Sequence, residues 1–201
     1  MIKLQNIDRR YGEKTVLQGL SFTFPDRGHF ALMGASGCGK TTLLRLLAGL
    51  DQPDGGSITS THKQITMAFQ EPRLFQWLSC KENINIALSK ETKNPNLALE
   101  WLNAFELDEV ADKHPSALSG GMQQRLSLAR AFAAKGDLVL LDEPFTALDT
   151  DLKSRIAPHI KKACEGSLLI FVTHDPSDVS LLDATPLFLT EDFPTALITK
   201  S

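Results

Sequence analysis

The sequence predicts an α/β domain with a mainly parallel central sheet, a small antiparallel N-terminal β subdomain and an inserted all-helical subdomain. Three observations predict it. The runs Leu138–Leu141 and Leu168–Val172 are apolar without alternation, and a helix-spaced segment near Asp151–Cys164 lies between them. Strands buried on both faces and joined by a helical crossover belong to a parallel sheet. A strand-like run, Phe30–Met33, feeds a glycine-rich turn and then a helix-like run, Thr42–Ala48. Between Glu71 and about Lys135 strand signals vanish and helical spacing takes over, over Lys81–Leu88, Pro95–Phe105 and Gly121–Ala134.

In chain order, Met1–Ile7 is a short strand, and Val16–Phe24 alternates as a half-buried strand does. Pro25–Gly28 is a turn before the central strand, and the stretch from Asp51 to Gly56 is a break. Ser57–Thr59 and Gln64–Phe69 are further strands, and Leu187–Leu189 is expected to end the core. The expected division is a core with its β subdomain over residues 1–70 and 136–201, and a helical subdomain over 71–135.

Composition narrows the function classes. The formal net charge of −3 gives no basic excess, which argues against nucleic acid as a partner. The three cysteines, Cys38, Cys80 and Cys164, are widely separated, which fits neither a disulfide framework nor a zinc site and points to a reducing compartment. No apolar run approaches the about 18 residues of a membrane-spanning helix, and the N-terminus does not read as a signal peptide. Membrane association is therefore expected to go through a partner.

The glycine-rich turn, Gly34-Ala35-Ser36-Gly37-Cys38-Gly39-Lys40-Thr41, matches the phosphate-cradling pattern G-x-x-x-x-G-K-[ST]. Its glycines let backbone N–H groups point inward as an anion nest, and the helix start adds unsatisfied donors. Lys40 brings a point charge for β- and γ-phosphates, and the Thr41 hydroxyl is placed for Mg²⁺. The flanking strand and helix lift the match above a chance glycine-rich turn and extend the fold class to a P-loop NTPase. Cys38 lies in the loop, where a helix N-terminus raises thiol reactivity.

Asp142-Glu143 ends the run Leu138–Leu141. Asp142 is expected to hold Mg²⁺ and Glu143 to orient or deprotonate the attacking water. Gln70 follows one strand and can place its amide between metal, water and γ-phosphate. His174 follows another strand; alone, a structural or surface histidine is the commoner reading. Leu118-Ser119-Gly120-Gly121-Met122-Gln123-Gln124-Arg125 reads as a capped helix start whose bare N–H groups form a second anion site.

These residues together resemble the ATP-binding subunit of an ABC transporter over essentially the whole chain. LSGGMQQR at 118–125 is similar to the family signature, and GASGCGKT at 34–41 and LVLLDE at 138–143 to its two nucleotide motifs. The resemblance implies ATP and Mg²⁺ as cofactors. ATP would contact Tyr11, Gly34, Ala35, Ser36, Gly37, Cys38, Gly39, Lys40, Thr41 and Thr42. Thr41, Gln70 and Asp142 would hold the metal, and Glu143, His174 and Gln70 would act in hydrolysis. Tyr11 would stack on adenine, although a core tyrosine reads equally well. Ser119, Gly120, Gly121, Met122 and Gln123 would meet the ATP of a second copy of the chain, and Asp149 would lie across that interface. Further implied partners are an integral-membrane permease and an extracellular or periplasmic solute-binding protein, with the chain at the cytoplasmic face of the membrane.

The run Gln70-Glu71-Pro72-Arg73-Leu74, followed by Trp77, is similar to importers of nitrate, sulfonates, taurine and thiamine precursors. The surface around Glu71–Leu78 is the expected contact with the permease, while packing of Leu74 and Trp77 into the insert is the alternative. Ser57–Met67 is shorter than the family's usual hairpin, and the chain ends soon after Leu189, leaving no room for an appended regulatory domain. A non-transport ATPase of DNA repair or translation is a second reading. Repair members need long coiled coils and translation members two ATPase domains in one chain, and this sequence shows neither. A nucleotide kinase has no use for the second anion site.

Overall fold

The computed structural model describes residues 1–88 and 94–199. Strands β1 (Ile2–Tyr11) and β2 (Lys14–Phe24) form an antiparallel pair. Strand β3 (Gly28–Met33) leads through the glycine loop into helix α1 (Lys40–Leu47). Strands β4 (Gly55–Ser60) and β5 (Ile65–Ala68) follow, then helices α2 (Cys80–Asn85), α3 (Leu97–Ala104) and α4 (Gly120–Ala133). The last third alternates: β6 (Leu138–Asp142), α5 (Thr150–Ala163), β7 (Leu168–Val172), α6 (Pro176–Leu181), β8 (Thr185–Leu189) and β9 (Leu197–Ile198).

Two sheets result: β2-β1-β4, and a six-stranded sheet ordered β5-β6-β7-β3-β8-β9. Within the larger sheet β5, β6, β7, β3 and β8 run parallel, and β9 returns antiparallel. Every residue of β6 and β7 is buried, and the alternation of side chains explains why neither strand alternates in polarity. Val139, Leu141, Leu169 and Phe171 face a core shared with α2 to α5. Leu138, Leu140, Leu168 and Ile170 face a second core with α1 and the N-terminal strands. Burying a leucine of this kind stabilises the fold by roughly 1.5–3 kcal/mol, so each strand holds two layers at once.

Several sequence expectations need correction. Strand β1 does not end at Ile7 but continues to Tyr11, through irregular register against β2. β4 and β5 do not make a hairpin. β4 pairs with β1 and β5 with β6, so adjacent segments enter different sheets. α2 stops at Asn85, short of Leu88. The core does not end at β8, because β9 pairs with it, and α6 is a short helix in a stretch to which the sequence reading assigns no element.

The parallel order decides the function of the sheet's carboxyl edge. Because β5, β6, β7 and β3 are successive neighbours, the residues just beyond their ends are brought into one row. These are Gln70, Glu143, His174 and the glycine loop, drawn from four distant parts of the chain. Open parallel sheets place ligands at this edge.

Candidate active site

A cavity of about 380 Å³ opens at that edge, lined by Tyr11, Lys14, Val16, Ser36, Gly37, Gly39, Lys40, Thr41, Thr42, Gln70, Glu143, Val172 and His174. Its floor is the glycine loop. Gly34 has φ of +142°, and a Cβ there would lie 2.9 Å from the Leu189 carbonyl oxygen, so only glycine passes this close to β8. Gly39, with φ of +106°, is the N-cap of α1 and makes no side-chain cap, which leaves the first N–H groups of that helix bare. The Lys40 ammonium is tied to the loop itself, donating to the carbonyls of Gly34 at 3.0 Å and Ala35 at 2.7 Å.

Glu143 sits at the centre. Its backbone has φ of +49°, an uncommon conformation for a glutamate, and its N–H donates to the Val172 carbonyl at 3.2 Å. The two carboxylate oxygens are approached from opposite neighbours: Gln70 Nε2 is 3.2 Å from Oε2, and His174 Nε2 is 3.1 Å from Oε1. Using its amide nitrogen on Glu143 leaves the Gln70 oxygen for another partner.

Next to it, Asp142 is only 3% exposed and accepts a hydrogen bond from Thr41 Oγ1 at 3.1 Å. Burial pushes its carboxyl above the usual range; the Thr41 hydrogen bond opposes this, and the Glu143 charge adds to it. Asp142 does not itself line the cavity, but it faces the hydroxyl of Thr41, which does, as does the Gln70 amide; together they are a hard-oxygen donor set. It fits Mg²⁺, which would relieve the cost of burying that charge.

Tyr11 ends β1 at the rim, 45% exposed, so it is not a core tyrosine. Its hydroxyl donates to Asp51 Oδ2 at 3.1 Å, Arg9 lies 4.6 Å from its ring centre, and Arg45 holds Asp51 at 2.8 Å. The ring is thus held by its hydroxyl and by Arg9 while the residue lines the cavity. Lys14 and Val16 were missed in the sequence. They line the cavity because Tyr11 pairs with Lys14 across the β1–β2 turn, a register that only the hairpin reveals.

Three loop residues assigned to ATP behave differently. Gly34, Ala35 and Cys38 do not line the cavity. Cys38 is buried against the second core, not presented on the loop surface, with its sulfur 3.9 Å from Lys40 Nζ.

The stretch from Ser119 to Gln123 is away from this cavity, as is Asp149. Ser119 caps α4, its Oγ accepting from Met122 N at 3.3 Å. Gly121 packs so near the Ala147 carbonyl that a Cβ would lie 3.1 Å from it. Gln123 turns its amide back to the carbonyls of Pro115 and Leu118, and Met122 packs on the helical core. Ser119 and Gly120 remain exposed. Asp149 caps α5 by accepting from Leu152 N at 2.8 Å, a role the sequence reading had not given it.

The family model described as ABC transporter matches residues 17–146, from β2 past the Asp142-Glu143 pair. This chain belongs to the ABC transporter family. Among its relatives, the aliphatic sulfonates import ATP-binding protein of Mesorhizobium japonicum is 38% identical over 190 residues, covering 89% of this chain and 72% of the relative. The sulfate/thiosulfate import ATP-binding protein of Vibrio vulnificus is 36% identical over 197 residues; there the match covers 88% of this chain but only 57% of the relative. Among solved structures, the dimer of an ATP-binding cassette in a post-hydrolysis state with ADP and phosphate superposes with a TM-score of 0.85 at 27% identity, covering 95% of both chains. This ABC ATPase therefore has the fold of a cassette known as a dimer. Among the described residues no helix is long and apolar enough to cross a membrane.

Proposed function

We propose that this ABC ATPase is the energy-coupling subunit of an importer, working as a head-to-tail dimer on a separate permease at the cytoplasmic face of the membrane. The single observation that supports this best is the division of anion-binding elements. The glycine loop lines the cavity, whereas the signature stretch starting at Ser119 opens elsewhere on the same chain. A second copy turned by a two-fold axis would bring its Ser119, Gly120 and Gly121 over the ATP of the first, with Asp149 at the seam. Exposure of Ser119 and Gly120 supports the reading. The working division is a core over residues 1–70 and 136–201 and a helical subdomain over 71–135, which carries the signature.

In this reading Tyr11 stacks on adenine, and backbone N–H groups from Gly34 to Thr42 cradle the phosphates. Lys40 exchanges its loop carbonyls for the β- and γ-phosphates. Thr41, Asp142 and Gln70 would hold Mg²⁺, which when bound neutralises phosphate charge. Glu143 takes a proton from the attacking water, and Gln70 and His174 keep its two oxygens aimed at that water. The cargo is a small anionic or heterocyclic solute delivered by a solute-binding protein, a class supported by the sulfonate and sulfate relatives. Transport of a radiolabelled aliphatic sulfonate by vesicles holding the subunit with its permease tests this. Uptake that depends on ATP inside the vesicle is expected, and uptake indifferent to ATP would reject the coupling role.

A further inference from the structure

The catalytic cavity is bordered by a second one of about 520 Å³ that shares Glu143 and His174 with it and includes Lys153, Asp175 and Asp178. His174 itself is half exposed and sits in a loop between β7 and α6. A lone exposed histidine on a loop samples several rotamers, so its aim at Glu143 needs a cause. The residues on either side of it supply one.

Lys153 lies on α5, four residues after the Asp149 cap, yet its side chain is only 12% exposed. Its ammonium donates to Asp178 Oδ1 at 2.7 Å and Asp175 Oδ2 at 3.0 Å. Asp178 is 3% exposed, and its other oxygen accepts from Thr173 Oγ1 at 2.6 Å. The Thr173 hydroxyl in turn accepts from Asp175 N at 3.0 Å. Both chain neighbours of His174 are therefore locked into one network whose only cation, among the described residues, is Lys153. The ammonium also lies 5.8 Å from the ring centre of Phe145, in the loop that leaves Glu143. Burial opposes the Lys153 charge, but the bonds to Asp178 and Asp175 outweigh it and hold its pKa above the usual lysine value. It is a fixed cation at neutral pH.

We propose that Lys153 is a positioning residue for His174: from α5 it clamps Asp175 and Asp178, and so fixes the histidine loop to the helix that Asp149 caps. The consequence is a mechanical link. A displacement of the loop at Asp149 by a second subunit moves the first turns of α5, and Lys153 carries that movement to His174 and Glu143. The proposal rests on the reading of His174 as a hydrolysis residue.

The test uses the full-length chain. Lys153→Met should lower single-turnover ATP hydrolysis by roughly 10- to 100-fold, the scale of a misplaced group, with ATP affinity unchanged. Lys153→Arg, which keeps both ion pairs, should restore most of the rate. In a His174→Ala background Lys153→Met should cost nothing further, because residues acting through one another are not additive. Lys153→Met with Asp178→Asn removes the unpaired buried carboxylate; it should recover the melting temperature but not the rate, since Asp175 keeps its bond from Ser177 but loses its tie to α5. Imidazole NMR signals of His174, assigned by their loss in His174→Ala, should broaden or split in Lys153→Met even where hydrolysis is too slow to time. Additive losses, a single sharp His174 signal in Lys153→Met, or a rate that recovers together with stability would each overturn the proposal. Wild-type hydrolysis by His174→Ala would instead reject the reading of the site on which it rests.

Discussion

Thr41 Oγ1 donates to Asp142 Oδ1 across 3.1 Å, closing a link between residues 101 positions apart. The bond joins the first turn of α1 to the end of β6 and gathers two hard-oxygen donors at one point. Asp142→Asn is therefore expected to bind ATP without Mg²⁺ as well as the parent does, while hydrolysis falls and its magnesium midpoint moves to higher concentration. A magnesium titration of turnover beside a metal-free nucleotide titration checks this. An unaltered magnesium midpoint would remove Asp142 from the metal site.

Glu143→Gln should keep ATP binding and lose hydrolysis by about 10²–10⁴-fold, the contribution of a positioned general base. With turnover stopped, the ATP-bound dimer should accumulate. Adding Ser119→Arg should prevent that dimer without weakening binding to the chain's own loop. Analytical ultracentrifugation reads both outcomes. A Glu143→Gln protein that stays monomeric in saturating ATP, with or without its permease, contradicts a composite site.

Much of this site was legible because its chemistry is local in sequence. The spacing from Gly34 to Thr41 and the acids after Leu141 each carry their own strand or helix flank. What escaped was non-local or short. Lys14 and Val16 reach the cavity only through hairpin register, and β4 joins β1 across some fifty residues of chain, a pairing no local pattern records. Helix α6 has six residues, too few to display a 3.6-residue period, although Asp175 before Pro176 was a start signal in plain view. Nothing in the local sequence sets Lys153 apart from a solvated helix lysine; the packing of α5 on the histidine loop buries it.

The thiols should rank by exposure and by how far burial opposes the thiolate. Cys38 is 7% exposed, Cys80 is 0% exposed with its thiol pushed up by burial, and burial pushes the Cys164 thiol up to about 12. Since the thiolate is the reactive form, mass-spectrometric labelling of the native protein is expected to modify Cys38 first and Cys164 last. All three should react far faster in denaturant. MgATP should slow Cys38 further by holding its loop closed. Prompt native labelling of Cys164 would contradict its burial.

Acid should loosen the histidine loop. The hydroxyl and N–H of Ser177, followed by Lys153, hold the Asp175 carboxyl at about 2, below its ordinary 3.8. A depressed pKa contributes stability that is complete above the unfolded value and lost as pH falls through the folded one. The window is thus between pH of about 4 and about 2. Asp175→Asn should be less stable than the parent at neutral pH and should converge on it near the bottom of that window. Denaturant unfolding across the acid range measures both curves. Parallel curves throughout would mean that Asp175 is not held by these partners. Because Asp175 is 48% exposed, solvent screening keeps its share of the total modest.

Trp77 is 73% exposed, so it does not pack the helical core, whereas Leu74, three residues earlier, is buried at 8%. The loop that displays Trp77 is nevertheless firmly held. Asn83 donates to the carbonyls of Phe75, Leu78 and Ser79 and accepts from Phe75 N at 2.9 Å, and Arg130 grips the Arg73 carbonyl at 2.6 Å. Phe75 meets the Trp77 ring edge-on, 5.3 Å between centres. A preformed aromatic projection a few residues from Gln70 has the character of an interface anchor. Arg73, the more obvious probe in the sequence, is a poorer one. Its guanidinium lies 4.1 Å from the Phe69 ring centre, so Arg73→Glu would disturb the residue next to Gln70. Trp77→Ala removes a mostly exposed side chain and, with it, the edge-on contact to Phe75. It should weaken co-purification with the permease by roughly 10-fold or more, the scale of an anchor residue, while the melting temperature and ATP affinity of the free subunit stay unchanged. Assembly that survives Trp77→Ala intact would place the energy-coupling contact elsewhere on the chain.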